Sequence, residues 1–207
     1  MSVSIVCVTT RDIKQNGYIL FGPDKNAIII DPGFDPELYL SELKKRELSL
    51  QSILATHGHF DHIGAVHELM KICSGDFIIH SEDLDVLNKA KLLAKFLNSG
   101  EEIKTPIPSK VLNGESGKLI FDNIEIDWVK YPGHTPGSIC FLLEDNIFLG
   151  DLILPKNHFS NRLPGANTQF MKLSLAKIAD LPNDLTAFPG HGKTRKLGEL
   201  LNRVVGS

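Results

Sequence analysis

The chain of 207 residues is 42% apolar and 23% charged, proportions of a soluble globular protein, and it is long enough for one domain (residues 1–207) with a substantial core. A formal net charge of −3 offers no basic surface to a nucleic acid, and Lys193, Arg195 and Lys196 read as a solvated helix start. No run approaches the roughly 20 apolar residues that cross a bilayer, and Met1–Cys7 lacks the basic-then-apolar plan of a secretory signal, so neither membrane nor export is expected.

In chain order, Ser4–Thr9, Tyr18–Phe21 and Ala27–Asp31 have the β-branched and aromatic character of strands, the last ending on the turn signal Asp31-Pro32-Gly33. Pro36–Glu47 has helical periodicity, Ile53–Thr56 reads as a buried strand, and Ile63–Cys73 as a helix with Ile63, Val66, Leu69, Met70 and Cys73 on its apolar stripe. A strand over Phe77–His80, a helix over Glu82–Leu97 and a loop over Lys104–Asn113 follow. Leu119–Phe121 with Ile124–Val129, and Ser138–Leu143 with Ile147–Leu149, form two hairpins; a helix (Phe170–Ala179), a strand (Thr186–Phe188) and a last helix (Lys196–Val205) complete the chain. Interleaved strands and helices with several hairpins predict a pair of mixed sheets with helices outside. Cys7, Cys73 and Cys140 are scattered and odd in number, which favours buried structural thiols in a reducing cytoplasm over disulfides.

The eight histidines are not evenly spread. Thr56-His57-Gly58-His59-Phe60-Asp61-His62 places three imidazoles and a carboxylate just after an apolar strand, a donor set suited to zinc, iron, manganese or cobalt. A helix would scatter these side chains around its axis; a loop converges them, with Gly58 sparing bulk at a tight turn. Three further segments run from an apolar stretch through glycine to a donor: Gly133 to His134, Gly150 to Asp151, and Gly190 to His191. Five histidines and two aspartates exceed one tetrahedral ion and suit two. Of the rest, His67 reads as a helix-surface residue, His80 as a supporting or rim group, and His158 as a residue able to reach substrate.

These segments resemble the metallo-β-lactamase superfamily: His57-Gly-His59-Phe-Asp61-His62, Pro132-Gly133-His134-Thr135-Pro136-Gly137-Ser138, Gly150-Asp151, Pro189-Gly190-His191-Gly192 and Asp31-Pro32-Gly33 stand in its order. The resemblance is closest to the glyoxalase II-like branch, the hydroxyacylglutathione hydrolases. It implies an α/β fold, the αββα four-layer sandwich, with two divalent ions, zinc first and iron or manganese as alternatives. By the same resemblance His57, His59 and His134 hold one ion, Asp61, His62 and His191 the other, Asp151 bridges them, and Asp31 braces the 57–62 loop without ligating. Asp61 and Asp151 are the implied catalytic carboxylates, and a metal-bridging hydroxide would attack a thioester or ester of a small-molecule substrate. Two dications against two carboxylates and one hydroxide leave the centre net positive, which favours a developing anion.

Two departures mark the chain within that branch. In the unbroken segment Gly150–Gly165, Ser160 stands where the branch has Arg and Arg162 where it has Asp. The sequence ends soon after Thr194, Glu199 and Asn202, where a glutathione-binding helical extension would begin. His158, Arg162 and Lys193 are the candidate substrate-binding residues. Asp151 and the missing signal argue against β-lactamase activity, and the chain lacks room for the additions of the superfamily's nucleases. A mononuclear-iron persulfide dioxygenase or a lactonase is the alternative reading.

Overall fold

The computed structural model describes residues 3–97, 100, 103–154, 163 and 165–205. The first half lays down β1 (Ser4–Thr9), β2 (Asn16–Phe21), β3 (Asn26–Ile30), α1 (Pro36–Arg46), β4 (Ser49–Leu54), the single turns α2 (Phe60–Ile63) and α3 (Val66–Leu69), β5 (Phe77–His80), α4 (Leu84–Phe96) and β6 (Lys110–Leu112). The second adds β7 (Ser116–Phe121), β8 (Ile124–Lys130), β9 (Ile139–Leu143), β10 (Asn146–Gly150), α5 (Thr168–Ile178), β11 (Thr186–Pro189), β12 (Arg195–Lys196) and α6 (Leu197–Val205). Two six-stranded mixed sheets result, ordered β1-β2-β3-β4-β5-β6 and β12-β11-β10-β9-β8-β7.

The burial pattern orders the layers. Alternate strand residues point to opposite faces. From the first sheet, Ile19, Ile29 and Ile53 pack with Tyr39 and Leu43 of α1, Leu69 of α3, and Leu87, Ala90 and Leu93 of α4. Their neighbours Tyr18, Leu20, Ile28, Ile30 and Leu54 face Ile126, Trp128, Phe141 and Phe148 of the second sheet. That sheet's other face, through Cys140, Ile147, Leu149 and Ala187, meets Met171 and Ile178 of α5 and Leu200 and Leu201 of α6. The layers are therefore helix, sheet, sheet, helix, the αββα arrangement. Strands buried on both faces need continuous apolar runs, which is why β3 reads Ala27-Ile28-Ile29-Ile30 without alternation. In the central layer Tyr18 meets Phe148 edge-on at 5.3 Å and Phe148 stacks on Phe188 at 4.9 Å.

The structure departs from the sequence reading in four places. The helix expected over Ile63–Cys73 is two separate turns. At Gly64 the ring of Phe34 lies where a Cβ would have to go, and the Ala65 N–H donates to the Pro32 carbonyl at 3.2 Å, outside the helical ladder. The loop expected over Lys104–Asn113 contains β6, which extends the sheet beside β5 in parallel. The last helix starts at Leu197, because Arg195 and Lys196 pair with Ala187 and Thr186 as an edge strand. Cys7 is exposed and Cys73 half-buried, so only Cys140 is the buried thiol expected of all three; Cys7 lies on the edge strand β1, opposite Tyr18.

Candidate metal centre

Five strand ends converge on one site. Asp31 follows β3, Thr56 to His62 follow β4, His134 follows β8, Asp151 follows β10 and His191 follows β11. Backbone bonds between the ends fix their spacing: Asp31 N–H to Leu54 O (2.9 Å), Ile139 N–H to Thr56 O (2.9 Å), Gly190 N–H to Gly150 O (2.7 Å) and Asn16 N–H to Gly190 O (2.7 Å). The Asn16 amide adds bonds to the carbonyls of Pro189 (3.1 Å) and Gly192 (2.8 Å), tying the His191 turn to the first sheet. Gly190 is required here, since a Cβ would run into the Asp151 carboxylate and the His62 ring.

Three trios of donors emerge among the described residues, and in one of them, Asp31 with His57 and His62, the Asp31 carboxylate is already taken by Thr56 and the His62 ring. The ring nitrogens of His57, His59 and His134 lie within 4.8 Å of one another, as do the donor atoms of Asp61, His62 and His191. Asp151 stands between them: Oδ1 is 3.3 Å from His62 Nε2, and Oδ2 is 3.6 Å from His134 Nε2 and 3.7 Å from His191 Nε2. His59 Nδ1 is 2.8 Å from His134 Nε2, and His191 Nε2 is 3.2 Å from Asp61 Oδ2. Ligands around one ion at bond lengths of 2.0–2.1 Å sit roughly 3.0–3.4 Å apart, so the two sets have the spacing of coordination shells.

Hydrogen bonds behind the rings set their tautomers. Thr56 Oγ1 donates to Asp31 Oδ2 at 2.6 Å and therefore accepts from His57 Nδ1 at 3.0 Å, leaving the His57 Nε2 lone pair facing the site. His62 Nδ1 donates to Asp31 Oδ2 at 2.9 Å, leaving Nε2 forward in the same way. His57 Nε2 is buried without a hydrogen-bond partner among the described residues, and His62 Nε2 and Asp151 Oδ1 have only their long 3.3 Å contact with each other. Buried polar atoms are nearly always satisfied, so these inward-facing orphans fit a cation that the donor set would ligate.

The two trios carry opposite proton affinities. Burial pushes the His57, His59 and His134 imidazoles down, His59 to about 3, so all three are neutral at pH 7. Burial also opposes charge on His62 and His191, but the carboxylates of Asp151, Asp31 and Asp61 outweigh it and hold both imidazoles above their ordinary value. Conversely, His62 and His191 overcome burial and keep the Asp61 and Asp151 carboxyls low.

The structure thus brings together His57, His59, Asp61, His62, His134, Asp151 and His191, with Asp31 behind them bonded to Thr56 and His62. Gly58 spares bulk, as its sequence suggested: its φ is not positive, and a Cβ there would meet the Leu87 backbone N at 2.7 Å. His80 is buried but stands away from the trios. It bonds Gly114 O at 2.9 Å, packs on Trp128 and caps the 3-10 turn Ser81–Asp83. His67 is half-buried on α3, Lys193 is exposed two residues beyond His191, and His158 and Arg162 lie outside the described residues. Sequence reasoning missed Asp83, which is fully buried and joins Gly58, Thr135 and Gly137. Burial pushes its carboxyl up, and the bonds from Thr135, Gly58 and Gly137 work against that. Its only sequence signal is a place in an ordinary acidic helix start, Glu82-Asp83-Leu84-Asp85.

Residues 11–191 match the model of the metallo-beta-lactamase superfamily. Hydroxyacylglutathione hydrolase GloC of Haemophilus influenzae is 30% identical over 96% of this chain and 94% of its own length. A longer relative, hydroxyacylglutathione hydrolase of Shewanella halifaxensis, is 27% identical over 80% of this chain and 57% of its own length. Among solved structures, the BLEG-1 B3 metallo-beta-lactamase superposes with a TM-score of 0.87 at 30% identity, over 96% of this chain and 97% of that one. TTHA1623 in a di-iron-bound form does so with a TM-score of 0.82 at 32% identity, over 95% and 96%.

Proposed function

The chain belongs to the metallo-beta-lactamase superfamily of metal-binding hydrolases, and on that premise we propose a two-ion hydrolase of thioesters or esters. The observation that carries the reading is the placement of Asp151 between two donor trios. His57, His59 and His134 would hold one divalent ion, Asp61, His62 and His191 the other, and Asp151 would touch both. Zinc is the first choice for this imidazole and carboxylate set; the di-iron form of TTHA1623 supports iron as the second. Two such ions would lower the pKa of a bound water toward neutrality and polarise a carbonyl.

The chain's own residues account for the rest. The imidazole rings are sealed behind the site, His57 and His59 being 1% exposed, and this keeps their lone pairs from bulk water. The Asp61 and Asp151 side chains, 13% and 7% exposed, are the more open members, so substrate approach is from the carboxylate side. Asp151, ionised in the absence of any ion, fixes the spacing between the trios, and Asp61 orients the attacking water. Neutral histidines leave the centre net positive, which stabilises the oxyanion that forms on a carbonyl under attack. A thiolate leaves without needing a proton at neutral pH, which with the GloC relative's name puts hydroxyacyl thioesters first. The described ligands come from both sheets, which supports reading residues 1–207 as one domain. No helix among the described residues is long and apolar enough to cross a membrane, and three free cysteines support a reducing, cytoplasmic setting.

The test is metal quantification of purified protein coupled to a panel of thioesters, esters, lactones and a β-lactam, the last because of the BLEG-1 similarity. Two ions per chain with thioester or ester cleavage is the expected result. One iron per chain with oxygen uptake would replace it with the mononuclear-iron dioxygenase reading.

A further inference from the structure

Two buried carboxylates stand behind the histidines, and they touch different things. Asp31 bonds the Thr56 N–H (2.6 Å), the Thr56 hydroxyl and the His62 ring. Asp83 touches no ring. Its Oδ2 accepts from the Gly58 N–H at 2.6 Å and the Thr135 hydroxyl at 3.0 Å, and its Oδ1 accepts from the Gly137 N–H at 2.7 Å. Gly58 lies between His57 and His59, and Thr135 follows His134. One carboxylate, 25 residues from the first loop and 52 from the second, therefore ties together the two backbone segments that carry the three-histidine trio.

Both loops are shaped to receive it. A Cβ on Gly137 would meet the Asp83 backbone N at 2.6 Å, and one on Gly58 would meet the Asp83 carbonyl oxygen at 3.0 Å. Thr135 is held in turn by Ser138, whose hydroxyl accepts from the Thr135 N–H at 3.0 Å. Asp83 is itself completely buried at the start of α4, so it moves only with that helix.

We propose that Asp83 is the positioning residue of the His57, His59 and His134 site: by clamping the two loops it sets how tightly that trio holds its ion, while the His62 site depends on Asp31. The inference rests on the two-ion reading above. A group that fixes ligand geometry from outside the coordination shell changes metal affinity by about 10- to 100-fold.

Asp83→Asn keeps the volume but turns one oxygen into an N–H₂ that faces a backbone donor. Wild type and variant are loaded with zinc, challenged with graded chelator and counted by native mass spectrometry. Imidazole nitrogen NMR identifies which rings keep metal. The expected result is two ions on wild type and one on the variant at intermediate chelator, retained on His62 and His191, with at least about 10-fold weaker zinc on the other trio. Wild type holding fewer than two ions would sink the two-ion reading and this inference with it. Wild type holding two while the variant keeps both with equal resistance, or loses both together, would overturn this inference alone. Should Asp83→Asn fail to fold, Thr135→Val decides. It removes one donor to the same carboxylate and is expected to weaken zinc at the His134 trio several-fold; unchanged zinc there would overturn the proposal.

Discussion

The two donor trios are built from similar side chains a few ångströms apart, yet they differ in proton affinity. The His57, His59 and His134 rings are neutral because burial outweighs the pull of the Asp151 and Asp61 carboxylates. The His62 and His191 rings hold protons more tightly than usual, because Asp151 and Asp61 beside both, and Asp31 beside His62, outweigh burial. Ligand identity alone does not decide how a metal position behaves: the carboxylates behind and between the rings do. The first trio has no protons to give up before it takes a cation, whereas the second's raised proton affinity competes with one.

Removing the group that the trios share should erase the difference. Asp151→Ala leaves both sets without their common carboxylate. An ion pair that polarises carbonyl and water supplies several kcal/mol, and about 4 kcal/mol corresponds to a factor on the order of 10³ in rate. Hydrolysis of the best panel substrate should therefore fall by about that factor, with fewer ions per chain and an unchanged far-ultraviolet circular dichroism spectrum. Full activity in this variant would end the two-ion assignment.

Proton counting tests the comparison directly. Metal can bind only to deprotonated ligands, so each displaced proton steepens the affinity by about tenfold per pH unit. Zinc titration of the metal-free protein in weak buffer should release almost no protons for the ion entering the neutral trio. It should release up to about two for the other ion, which weakens as pH drops from 8 to 6. Equal release for both ions would show the trios to be electrostatically alike. The stability of the metal-free protein follows the same signs. His57, His59 and His134 have folded values below the ordinary 6.5, so they withdraw stability as pH falls below 6.5, His59 doing so down to about 3. His62 and His191 have raised values, so their contribution is complete below 6.5 and is lost as pH climbs through the folded values. Melting temperatures of chelated protein across this range should fall on both sides, and zinc should remove the alkaline loss.

Asp31→Asn sharpens the contrast from behind the rings. One of its oxygens becomes a donor facing either the Thr56 backbone or the His62 ring, so the His62 site should lose zinc affinity by about tenfold, the low end for such outer partners. His57 also leans on Asp31, through the Thr56 hydroxyl, and its site should shift less. A larger loss at the three-histidine trio, read by chelator competition, would reverse the roles assigned to the two carboxylates.

What was legible in the sequence follows from what is local in it. The cluster Thr56–His62 and the Gly-bounded His134, Asp151 and His191 announce themselves because strand ends, glycine and donors occur together in short segments. Asp31 was readable only through the family resemblance that its Asp-Pro-Gly motif shares. Asp83 was not, because its role comes from contacts with Gly58 and Gly137 across 25 and 54 residues, and nothing in Glu82-Asp83-Leu84 records them. The same holds for Ile63–Cys73. Its apolar spacing is helical, but the break at Gly64 is imposed by Phe34 and Pro32 from another segment. The sheets were legible as mixed from their hairpins, while β6 was hidden in a stretch with two prolines.

The smallest expected effect concerns charge outside the trios. Lys193 is exposed and lies two residues beyond His191, a member of the Asp61, His62 and His191 trio. It was singled out as a substrate contact, and its exposure limits what it can do: pairs of exposed charges are worth about 0.2–1 kcal/mol, or roughly a 1.4- to 5-fold change in binding. Lys193→Ala should therefore raise KM for an anionic acyl thioester by no more than about fivefold, leave kcat in place and leave a neutral ester unchanged. Salt should shrink the difference between the two substrates in wild type, since an exposed charge is screened within about 10 Å at 0.1 M ionic strength. Equal KM changes for charged and neutral substrates would take Lys193 out of substrate binding. A fall in kcat with no change in KM would instead place its effect on the neighbouring His191 turn, and so return it to the comparison between the trios.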